Sequence, residues 1–147
     1  MAEAPAAQVI EIARVYPAPR EAVWTAWTDP AQIAGWWGKR GWRTPPESVE
    51  IDLRPGGVFR LDSVSEADGT VMRHDGVFRA VEPPGRLAFG TAGSEATVTF
   101  ADVGVGRTEM VFRVELTTTD AIRRRAENGL GSAFDRLGEQ LRTGEQA

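Results

Sequence analysis

Between positions 49 and 116 the chain alternates apolar and polar residues through six short runs with turn-forming residues between them. That pattern constrains the fold more than any other feature, because period-two alternation describes half-buried strands. The run 49–53 is closed by Arg54-Pro-Gly-Gly57, the run 58–64 by Ala67-Asp-Gly69, and the run 71–81 by Pro83-Pro-Gly85. Runs 86–89, 96–100 and 107–116 follow, the last two joined through Gly104-Val-Gly106. Short strands linked in this way form an antiparallel meander. Side chains along a strand alternate between faces, so Phe59 with Leu61, Leu87 with Phe89, Val98 with Phe100, and Met110 with Phe112 and Val114 build one apolar face. An apolar face needs a cover.

The last segment supplies one. Thr119 and Asp120 can cap a helix of about six turns running to position 141. Ile122, Ala126, Leu130, Ala133, Phe134, Leu137 and Leu141 recur every three or four residues as an apolar stripe, and arginines and carboxylates occupy the other face. Gly129, Gly131 and Gly138 each cost about 1 kcal/mol relative to alanine in such a helix, which implies close approach of a neighbour or a bend. Before the meander, residues 9–16 read as a first strand ended by Pro17, residues 20–27 as a short helix, and Asp29-Pro30 as the cap and first residue of another. The expected domain is α+β and spans 8–142, with frayed tails at 1–7 and 143–147. Its order is one strand, two short helices, six strands and a long helix, about seven strands in all.

Composition narrows the function. With 147 residues and 41% hydrophobic residues, the chain is one globular domain that needs no crosslink to fold. It has no cysteine, so disulfides, thiol catalysis and thiolate metal sites are excluded, in keeping with a reducing cytoplasm. A net charge of −4 makes it a poor partner for nucleic acid. No apolar run is long enough to span a membrane, and the first residues carry no readable signal peptide. One histidine and scattered carboxylates give no metal-ligand spacing, and no glycine-rich turn has the pattern of a phosphate or dinucleotide loop. Neither metal nor cofactor is expected.

All five tryptophans lie between positions 24 and 42. Trp24 and Trp27 fall on the buried face of the first helix, and Trp42, between Gly41 and Arg43, is expected to be exposed. Trp36 and Trp37 are adjacent, so one should be buried and the other should line a cavity or its rim. His74, the only histidine, shares a strand face with Met72, Gly76 and Phe78. Its ordinary pKa suits proton transfer, but Asp75 points to the opposite face and cannot orient it, so the structural reading outweighs the catalytic one. Glu50, Asp52 and Arg54 read as a solvated sheet face rather than a polar set in a pocket.

Three stretches carry a family resemblance. They are Ala18-Pro-Arg-Glu-Ala-Val-Trp24 with Trp27-Thr-Asp-Pro30, then Trp36-Trp-Gly38, then Asp52-Leu-Arg-Pro-Gly-Gly57. Gly76-Val-Phe, Pro83-Pro-Gly-Arg-Leu87 and Asp135-Arg-Leu137 add weaker echoes. In these the chain resembles the START-like SRPBCC superfamily, in the bacterial branch similar to the C-terminal domain of the activator of the ninety-kilodalton heat-shock-protein ATPase. The resemblance implies a helix-grip fold, in which a curved antiparallel sheet wraps the long final helix and leaves a cavity between them. Many relatives have a large aromatic residue after the helix glycine, where this chain has Leu130 after Gly129.

The expected function is to bind a small apolar molecule in that cavity, with cyclase, isomerase or hydrolase chemistry left open. Trp36, Trp37, Phe59, His74, Phe78, Met110, Phe112, Leu130 and Phe134 are the candidate lining residues. The alternative is a protein-interaction module resembling the co-chaperones, with a chaperone as partner. A homodimer is compatible with either.

Overall fold

The computed structural model describes residues 4–91 and 94–144. Strand β1 (Ala6–Tyr16) leads into α1 (Arg20–Thr28) and α2 (Pro30–Ile33). The Asp29 carboxylate accepts a hydrogen bond from the Gln32 amide at 3.1 Å, so the expected cap forms. Beyond a loop come β2 (Trp42–Arg43), a single 3-10 turn (Pro46–Ser48) and β3 (Glu50–Ile51). Five longer strands follow: β4 (Val58–Ser65), β5 (Val71–Glu82), β6 (Arg86–Thr91), β7 (Ser94–Gly104) and β8 (Arg107–Thr118). Helix α3 (Asp120–Gly144) closes the chain, and the Thr119 hydroxyl accepts from the Ile122 amide at its start.

The strands form one antiparallel sheet in the order β1-β8-β7-β6-β5-β4-β2, with β3 also paired to β4. Eight strands replace the seven expected, because Trp42 and Arg43 pair with Ser65 and Val64 at the edge. The run 49–53 shrinks to two paired residues. The Asp52 amide already bonds the Val58 carbonyl, and Gly57 packs against the Asp52 backbone where a side chain would not fit. Of the two expected tails, residues 1–3 and 145–147 lie outside the described residues. Ala6 and Ala7 instead pair with Thr118 and Thr117, and α3 remains helical to Gly144. None of the described helices is long and apolar enough to cross a membrane.

Curvature has local causes. The β5–β6 register shifts between Phe78 and Ala80, and the β7–β8 register shifts between Asp102 and Gly104. Gly76 and Gly90 lie against each other on neighbouring strands, and Gly90 has a φ of +153° with no room for a side chain against the Ser94 carbonyl. The convex face carries cross-strand ion pairs such as Arg60 with Glu50 and Asp75, and Arg73 with Asp62. Glu50, Asp52 and Arg54 belong to that solvated side, and Arg54 pairs with Asp52 at 2.8 Å.

The concave face is filled around Trp27, which is 1% exposed. Its ring lies 4.9 Å from that of Trp36, 6.1 Å from that of Phe134 and 6.0 Å from that of Phe89, and it stacks on Phe112 at 6.5 Å and 18°. Its indole N–H points at the Met110 sulfur, 3.3 Å away. The C-terminal half of α3 is pressed onto this cluster. Tyr16 donates a 2.8 Å hydrogen bond to the Phe134 carbonyl, and Gly138 has no side chain to hold the Tyr16 ring away. Burial pushes the Tyr16 hydroxyl's pKa upward, so it stays a donor. Trp27→Ala would empty the centre of this cluster and should cost about 3–5 kcal/mol, with Trp27→Phe recovering part of the loss. Urea unfolding of the two variants measures both.

Candidate functional site: a tryptophan-walled cleft beside the final helix

The packing is uneven along α3. Beyond Ala133 its inner face presents Phe134, Leu137 and Leu141, all buried. Before Ala133 it presents Ala126, Gly129 and Leu130, which are only half-buried, and Ile122, which is 51% exposed. Small side chains cannot reach the sheet. A cleft of about 440 Å³ therefore remains between this half of the helix, the loop 36–42 and strands β4 and β5.

Five of the expected lining residues border the cleft: Trp36, Trp37, His74, Leu130 and Phe134. Phe59, Phe78, Met110 and Phe112 do not. Phe59 stacks on Phe89 at 4.6 Å and meets Phe78 edge-on at 5.6 Å, while Met110 and Phe112 are covered by Trp27. Alternation placed these four on the correct sheet face, but Trp27 covers Met110 and Phe112, and Trp37 and Phe89 pack against Phe59. Trp36 is fully buried and donates its indole N–H to the Ala26 carbonyl at 2.9 Å, while Trp37 is half-buried and forms the inner wall. Trp42 is half-buried rather than exposed, because β2 seats it at the rim with the Lys39 ammonium 5.6 Å from its ring centroid.

Sequence reasoning passed over Lys39, Ser63, Arg125 and Arg136. Met72, by contrast, borders the cleft on the strand face of His74, where parity put it. Arg136 left no such signal, since it reads as one more charge on the helix's outer face. Its guanidinium instead reaches into the loop, where Nη1 lies 2.7 Å from the Gly38 carbonyl, 3.2 Å from that of Trp42 and 3.3 Å from that of Trp37. Nη2 reaches the Gly35 carbonyl at 3.3 Å. A planar fork can satisfy several carbonyls at once, which a lysine ammonium cannot do with the same geometry. Further ties fasten the same loop to α3. The Arg40 amide donates to the Ser132 hydroxyl at 3.0 Å, and the Arg40 guanidinium pairs with Glu139 at 2.5 Å.

His74 projects into the cleft. Its Nε2 lies 3.3 Å from the Ser63 hydroxyl, and its ring meets that of Trp37 edge-on at 5.5 Å. Burial lowers its pKa, against the weaker pull of Asp62 and Asp75. Those carboxylates lie on the opposite strand face, paired with Arg73 and Arg60, and none contacts the ring. The imidazole is thus neutral near pH 7 and has no carboxylate to orient it for proton transfer. Among the described residues, no three histidine, aspartate or glutamate side chains gather closely enough to hold a metal ion.

A curved antiparallel sheet gripping a C-terminal helix, with an apolar cleft beside it, defines the helix-grip fold of the START-like SRPBCC superfamily. Within it, the sequence model of the family described as "Activator of Hsp90 ATPase homolog 1-like protein" matches residues 17–142, and the chain belongs to that family. A solved structure from Nitrosomonas europaea superposes with a TM-score of 0.82 at 21% identity, covering 92% of this chain and 95% of its own. One from Chromobacterium violaceum gives 0.77 at 25% identity, with coverage of 90% and 96%. An AHSA1-like protein from Aeromonas hydrophila gives 0.76 at 26% identity, with coverage of 94% and 96%. No curated protein matches the sequence.

Two measurements probe the site. Arg136→Leu strands the loop carbonyls and should lose about 2 kcal/mol of stability, a loss that Arg136→Lys restores only in part. For His74, the unfolded chain has the higher pKa, about 6.5, and takes up the proton first as pH falls. Its contribution to stability is complete above that value and is lost as pH drops through the window down to the lowered folded pKa. The unfolding free energy of His74→Gln should therefore fall less than that of wild type between neutral and mildly acidic pH. Equal slopes would show that burial does not hold the ring neutral.

Proposed function

We propose that this protein binds a small apolar molecule in the cleft between α3 and the tryptophan loop. One observation carries the reading: a preformed hollow of about 440 Å³, walled by indole rings, Leu130 and Phe134 and holding few polar groups. That volume lies in the ordinary range for small-molecule sites. Each 100 Å² of apolar ligand surface removed from water contributes about 2.5 kcal/mol before the costs of association. The Ser63 hydroxyl and the neutral His74 imidazole, on neighbouring strands, are the polar pair that would orient a ligand carbonyl or hydroxyl. In this role His74 supplies a hydrogen bond, not a proton.

Leu130 supports the reading from the helix side. It follows Gly129 and faces the cleft, and a larger side chain there would occupy the space a ligand needs. Leu130→Trp should lower the affinity for a neutral apolar dye such as Nile red by about tenfold or more while the unfolding midpoint stays near that of wild type. Fluorescence titration measures the first and urea unfolding the second. Undiminished dye binding by a folded Leu130→Trp protein would place the dye elsewhere and remove this proposal.

A further inference from the structure

Charge is distributed around the cleft in a way that the whole chain does not share. Carboxylates outnumber cationic side chains by 21 to 17 in the sequence, yet the cleft is bordered by Lys39 and Arg125 and by no aspartate or glutamate. Among the described residues neither cation has an ion-pair partner, whereas Arg14, Arg40, Arg60, Arg73, Arg113 and Arg123 all have one. Lys39 is also the only lysine in the chain. Its stem crosses from the loop to the helix, with Cδ 3.8 Å from the place a side chain would take at Gly129, and its ammonium sits over Trp42.

We infer that the occupant of the cleft is a compact apolar molecule bearing one anionic group, with the anion between Lys39 and Arg125 and the apolar body against Trp37 and Leu130. This rests on the reading of the cleft as a ligand site and adds the ligand's charge and size. Two unpaired cations beside low-dielectric aromatic walls attract an anion more strongly than they would in open water. The polar end of the occupant then stays at the mouth, and the dry interior need not accept a charge. Size follows from volume. At roughly 30 Å³ per non-hydrogen atom, about the share of one water in the liquid, the cleft volume matches about fifteen such atoms. A single-chain or ring-bearing organic acid fits, and a two-chain phospholipid does not.

Decanoate and decanol, equal in chain length and different in charge, separate the two levels of the argument by calorimetric titration below micelle-forming concentrations. The expected result is that decanoate binds about tenfold tighter than decanol, with an advantage that shrinks in high salt. The double variant Lys39→Glu, Arg125→Glu should lose that advantage, its ratio of decanoate to decanol affinity falling to about one or below. Vesicles of phosphatidylglycerol should fail to displace decanoate, and displacement would overturn the size limit. Equal binding of the two probes by wild type would overturn the anionic preference and leave the apolar cleft standing. Binding of neither would remove both.

Discussion

The structure depends most on one guanidinium. The loop 35–42 contains three glycines and has little regular structure to satisfy its carbonyls, yet it must present Trp36 inward, Trp37 sideways and Trp42 at the rim. Arg136 resolves this by converging on the carbonyls of Gly35, Trp37, Gly38 and Trp42 from one turn of α3. The same contacts set the distance between loop and helix, and so the width of the cleft. Burial lowers the pKa of Arg136, as does repulsion from nearby Arg40, but a guanidinium titrates so far above neutrality that the group stays charged. A charged donor to neutral carbonyls makes stronger hydrogen bonds than a neutral one would.

From that anchor the two halves of α3 diverge. Toward the C-terminus the helix has Phe134, Leu137 and Leu141, and the sheet meets it with the aromatic cluster around Trp27. Toward the N-terminus it has Ala126, Gly129 and Leu130, and the sheet meets it with Ser63, Met72 and His74. Between helix and sheet, packing is therefore close at one end of the grip and open at the other. The arrangement follows from side-chain volume, since a close-packed interior leaves a void only where the side chains are too short to cross it.

Much of this was legible in the sequence. The alternating runs gave the strands and their apolar face, the stripe gave α3, and Asp29 gave a cap, because each depends on local spacing. The two-residue pairing of Trp42 with Ser65 was not legible, since nothing so short carries a period. The site was half legible. His74 and Leu130 reach the cleft as parity and helical spacing implied, but Met110 and Phe112 stand behind Trp27, and Phe59 and Phe78 pack with Phe89. Alternation says which face a residue takes, not which neighbour arrives first to cover it. Arg136 lay beyond sequence reasoning for a related reason: its partners are backbone carbonyls about a hundred residues away, and carbonyls leave no trace in residue identity.

The rigid end also bears on what the open end can do. A cleft bounded by flexible loops would have to be ordered by its ligand, at a cost in affinity for every side chain immobilised. Here the wall residue Trp37 is already fixed between Phe59 and His74, and its own carbonyl is held by Arg136 and by the Thr44 hydroxyl. Trp36 is locked by its hydrogen bond to Ala26 and its contact with Trp27. The aromatic cluster thus keeps the adjacent hollow open and in shape before anything enters it. A site of under 500 Å³ with mostly apolar walls has little contact energy to spare for such ordering, so the packed half of the helix is what lets the unpacked half bind.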